Sequence, residues 1–172
     1  MADTWHISAQ AVTYAANKYM LDVFNGSSSA KSIDVYRIWF FNNQTSAVTG
    51  VFNTLQIHRT SAASAGTTVT PVAHNTANAS LDANTSAGYG RTITTGSLFR
   101  QLLTSPDEPT LSTLDWDSAH TLVPFAEIWN SGYGDSNVQP LRSRTGQAEG
   151  ISLKSVNQTV GSGDFEMEFT NV

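Results

Sequence analysis

Residues 164 to 170 read Asp-Phe-Glu-Met-Glu-Phe-Thr, and this strict alternation constrains the fold more than any other stretch of the chain. Side chains of an extended strand point to opposite faces with period 2. Phe165, Met167 and Phe169 therefore share one face, and Glu166, Glu168 and Thr170 share the other. A strand with one dry face has to bury that face against a second layer.

Other stretches repeat the pattern. Val51 to Arg59 places Val51, Leu55 and Ile57 inward, with Gly50 as a turn residue and His58 on the polar face. Ser32 to Phe41 alternates at first and then becomes wholly apolar. The polar stretch Asn42 to Ser46 reads as a hairpin-type loop between these two strands. Tyr19 to Phe24 and Gly150 to Val156 are two further strands. Short strands separated by small polar residues predict an all-β sandwich or barrel, and 172 residues suit one domain over 1–172.

The middle of the chain departs from this rhythm. From Thr60 to Thr95 it is nearly all Ala, Ser, Thr, Asn and Gly, anchored by Val69, Val72, Leu81, Tyr89 and Ile93. Two or three short strands are expected in this excursion, ordered where it packs on the sandwich or on a neighbour. Ser97 to Leu103 is the one helix candidate. Ser97 can cap it, Leu98, Phe99 and Leu102 fall on one side, and Pro106 ends it. Leu122 to Trp129 reads as a buried extended segment in which Pro124 requires an edge or a bulge.

Charge narrows the function classes. Only 13% of residues are charged, against about 25% in an average soluble domain. Thr, Ser and Asn fill 53 positions instead. Such a surface can dock against a partner without desolvating ions, which suits a protein that sits beside many copies of itself. With a net charge of −5 and Arg142 and Arg144 as the only close basic pair, no nucleic-acid footprint is expected. No apolar run approaches the roughly 20 residues that span a bilayer, so no membrane partner is expected.

The sequence carries no recognisable catalytic constellation. With no cysteine, thiolate chemistry and a disulfide framework are excluded. There is no Gly-x-Ser-x-Gly elbow. His6, His58, His74 and His120 are isolated in sequence, and Asp115, Asp117 and Asp135 follow no EF-hand spacing. Glu166 and Glu168 share a face, but as the solvent side of a terminal strand they read as solubilising rather than as a glycosidase pair. No catalytic residue, metal or cofactor is therefore expected, and the chain is not expected to be an enzyme. The most suggestive surface feature is the loop from Trp129 to Asp135. Trp129, Tyr133 and Asp135 are the candidate interface residues, because Trp and Tyr are enriched where proteins meet partners. The same aromatic residues would serve a carbohydrate-binding or lectin-like module, which is the alternative reading.

The order of several segments resembles a group of tailed-bacteriophage virion structural proteins. The matching pieces are Gly50 to Arg59, Gly66 to His74, Ser105 to Pro109, Ile128 to Asp135, and Gln139 to Leu141 running on to Glu149 to Ile151. The resemblance implies a β-sandwich, of jelly-roll-like type, present in many copies on a particle. It implies a capsid decoration or cement role on the virion surface, with the major capsid protein and copies of itself as partners, a trimer being the natural homo-oligomer. A tail, baseplate or fibre component is the second structural expectation. No site residues transfer with it.

Overall fold

The computed structural model describes residues 3–42, 52–104, 125–132 and 138–172. Val51, most of the 42–46 loop, Asp115, Asp117, His120, Pro124, Tyr133 and Asp135 lie outside the described residues.

Among the described residues, twelve strands run β1 (Thr4–Thr13), β2 (Lys18–Asn25), β3 (Ile33–Asn42), β4 (Asn53–Ser64), β5 (Thr67–Val69), β6 (Val72–Ala73), β7 (Thr85–Tyr89), β8 (Thr92–Thr104), β9 (Phe125–Asn130), β10 (Leu141–Ser143), β11 (Glu149–Ser155) and β12 (Ser162–Asn171). They form two antiparallel sheets packed as a β-sandwich. The first has the order β10-β3-β12-β1-β6, with β9 pairing the far half of β3. The second has the order β5-β7-β2-β11-β4-β8.

The alternation read from the sequence is what builds the core. In β12, Phe165, Met167 and Phe169 are fully buried. Phe165 stacks on Phe40 at 5.5 Å between ring centres and meets Tyr14 edge-on at 6.1 Å. Leu21 and Val23 of β2, Leu55 and Ile57 of β4, and Ile151 and Leu153 of β11 supply the opposing sheet, all of them fully buried. The strands predicted around 19–24, 32–41, 53–59, 150–156 and 164–170 form as β2, β3, β4, β11 and β12.

One connection and one element differ from the sequence reading. β3 and β4 lie in opposite sheets, so the two strands do not pair as a hairpin. β1 to β4 alternate between the sheets one by one, and each strand finds its partners far along the chain. The helix expected over Ser97 to Leu103 is instead part of β8, which runs extended beside β4. A helix this short is marginal on its own, whereas pairing with β4 satisfies the backbone groups along one side of the strand. Register places Gln101 opposite Gln56, and their side-chain amides hydrogen-bond at 2.7 Å.

The small-residue excursion forms three short strands and reaches both sheets. β5 and β7 extend the second sheet, while β6 adds to the edge of the first against β1. Asp82 anchors it: its carboxylate accepts the backbone N–H groups of Ala30 (2.6 Å), Lys31 (3.1 Å) and Asn84 (2.8 Å). These bonds favour the charged form and hold its carboxyl below the usual range. The close basic pair is engaged in the scaffold. Arg142 makes a two-pronged contact to Asp34 at 2.6 and 2.5 Å, and Arg144 pairs with Glu149.

Candidate functional site

Two surfaces of the sandwich stand out. One is the edge of the second sheet. Among the described residues β8 has β4 as its sole strand partner. Thr54, Gln56 and His58 alternate along the outward face of β4. Their register partners Leu103, Gln101 and Leu98 therefore face outward too. Leu98 is 50% exposed and Leu103 62% exposed, and Phe99 and the neighbouring Phe52 are also exposed. Arg100 is the only charged residue in the 13 positions of β8. Exposed edges are usually short, charged or interrupted by proline; this one is long and apolar.

The other surface is the outer face of the first sheet, where β6, β1 and β12 lie side by side. Register sets Val72 and Glu168 on either side of His6, and Arg37 of β3 beyond Glu168. His74 follows β6, with its N–H donating to the Thr4 carbonyl at 3.0 Å. Asn78 donates to the same carbonyl at 2.9 Å, so the turn carrying His74 is tied to the start of β1. His74 Nε2 lies 3.6 Å from Glu168 Oε1, and His6 Nε2 lies 3.6 Å from Glu166 Oε2. Arg37 approaches the other oxygen of Glu168, Oε2, at 3.9 Å. His6, Ser8, Thr70, Val72 and His74 line an open cleft over this cluster.

This arrangement revises the reading of Glu166 and Glu168 as a plain solubilising face. The Glu168 side chain is only 13% exposed and sits between an arginine and a histidine. Histidines isolated in the sequence are brought together by strand pairing, and no local motif signals it. His58 lies on the outward face of β4, as its strand position predicts, where it is largely covered and its Nε2 sits 2.9 Å from Gln56 Oε1. Burial, with Lys154 nearby, lowers its pKa.

Of the three expected interface residues, Tyr133 and Asp135 lie outside the described residues. Trp129 is half-buried and packs against the core from β9, opposite Ile38.

Compared with known protein families, curated proteins and solved structures, the chain matches none.

Proposed function

We propose that this chain works by binding and assembly, as a virion structural protein of the capsid decoration or cement type. The observation that carries the assembly part is the apolar edge of β8. Main-chain donors and acceptors along such an edge can pair with an extended segment of another chain, and side chains such as Leu98 and Leu103 give that pairing an apolar seal. The low charge of the whole chain supports the same reading, since few ions need desolvation when subunits meet. The assignment to a virion shell is supported by the resemblance of the segments named above. Many weak repeated contacts would then stabilise a particle through multivalency.

The test is composition and rescue. The protein should be found by mass spectrometry in purified particles, and particles assembled without it should rupture at lower temperature. Adding back the wild-type protein should restore the rupture temperature, and the Leu98→Lys/Leu103→Lys variant should restore it less. Absence of the protein from purified particles would overturn the virion assignment. Full rescue by the double variant would overturn the role given to β8.

A further inference from the structure

We propose that His6, His74 and Glu168 form a binding site for a divalent ion of the zinc, cobalt and nickel class. One ligand atom from each of the three lies within 4.8 Å of the others. Two ligands of a tetrahedral zinc ion stand about 3.4 Å apart, given bonds near 2.1 Å. The 3.6 Å between His74 Nε2 and Glu168 Oε1 is already close to that separation. Small side-chain rotations of His6 close the remainder, since its ring centre is 6.2 Å from that of His74.

The surroundings favour this use. His6 and Glu168 project from paired positions in the middle of a sheet, which fixes their spacing. His74 is held by its backbone N–H donating to the Thr4 carbonyl, and Asn78 four residues on ties the same turn to that carbonyl. His6 Nε2 is buried without a hydrogen-bond partner, the condition in which a ring nitrogen gains most from an ion. Arg37 lies against Oε2 of Glu168 and leaves Oε1 on the histidine side. Glu166, 3.6 Å from His6, stands within reach of a fourth position, and the cleft over the cluster admits water or a donor from outside.

Two imidazoles and one carboxylate select among metals. Imidazole suits zinc, copper, nickel and iron, whereas calcium and magnesium prefer sets made of oxygen alone. An ion here would join β6 to β1 and β12, fastening the small-residue excursion to the first sheet.

The experiment uses tag-free full-length protein stripped with a chelator and then titrated with zinc chloride, with cobalt chloride as a spectroscopic probe. One equivalent of zinc should bind per chain and raise the melting temperature. Cobalt should develop the visible absorption of a four- or five-coordinate site. His74→Ala sits on a tied surface turn and Glu168→Gln keeps its shape. Each should weaken zinc at least about tenfold, while His58→Gln in the other sheet should leave binding intact. Absence of binding at 100 μM zinc, or equal affinity in His74→Ala and wild type, would overturn the site. Calcium binding as tight as zinc would do the same.

Discussion

Arg91 lies flat across Gly88 and places Nη1 3.2 Å from Asp22 Oδ2, making an ion pair whose side chains are 8% and 1% exposed. The same guanidinium donates to Ser86 Oγ at 3.1 Å and to the Ala87 carbonyl. A Cβ at position 88 would fall 2.3 Å from Arg91 Nε and 2.6 Å from the Thr67 carbonyl oxygen, so only glycine permits the approach. At pH 8 and above, where the Asp22 carboxyl is ionised, Arg91→Ala would leave it buried without its counter-ion, at a cost of about 3–5 kcal/mol. Gly88→Ala forces both neighbours apart, costing about 1–3 kcal/mol or more. Urea denaturation of the two variants measures both, and a loss under about 0.5 kcal/mol in either would contradict this packing.

The same pair makes stability depend on pH. Burial pushes the Asp22 carboxyl up to about 7, with Arg91 pulling against it. A carboxyl raised on folding holds its proton more tightly in the folded chain than in the unfolded one. Its contribution is therefore complete below about pH 4 and is lost as pH rises through about 7. His58, facing Asp22 across Ser152, acts in the opposite sense because its pKa is lowered. Comparing wild type with Asp22→Asn at each pH removes the part that His58 contributes to both. The stability of wild type relative to this variant should decline between pH 4 and 7.5; a constant difference would show that Asp22 stays ionised throughout.

Phe165 tests the core directly. It is fully buried between Phe40 and Tyr14, on the face predicted by alternation alone. Phe165→Ala should cost about 3–5 kcal/mol in chemical denaturation, whereas Glu166→Ala, one position along on the opposite face, should cost far less. Equal effects would mean that the register of β12 is wrong.

These residues also mark how far a sequence carries. Phe165, Met167 and Phe169 declare their strand because each neighbour along the chain repeats the pattern, and β3, β4 and β11 are readable for the same reason. Sheet membership is not local. The connection after β3 has hairpin composition, yet β3 pairs with β12 and β4 with β11, partners that only the closed sandwich supplies. His6, His74 and Glu168 have no spacing that marks them as a set, and they meet because β1 takes β12 on one side and β6 on the other. Arg91 and Asp22 were equally silent, since nothing near either residue predicts a guanidinium folded over a glycine.

The reassignment of β8 yields the sharpest contrast. Apolar residues at 98, 99, 102 and 103 satisfy a helical stripe and a strand edge equally well, but the two geometries group them differently. In a helix Leu98 and Leu102 would share one buried side. In β8, Leu102 faces the core opposite Leu55, while Leu98 and Leu103 face outward opposite His58 and Thr54. Leu102→Ala should therefore lower stability by about 1–3 kcal/mol, with Leu98→Ala and Leu103→Ala within about 0.5 kcal/mol of wild type. The two outward variants should instead weaken self-association, read by static light scattering across a concentration series. Equal destabilisation by Leu98→Ala and Leu102→Ala would restore the helix and remove the edge on which assembly is argued.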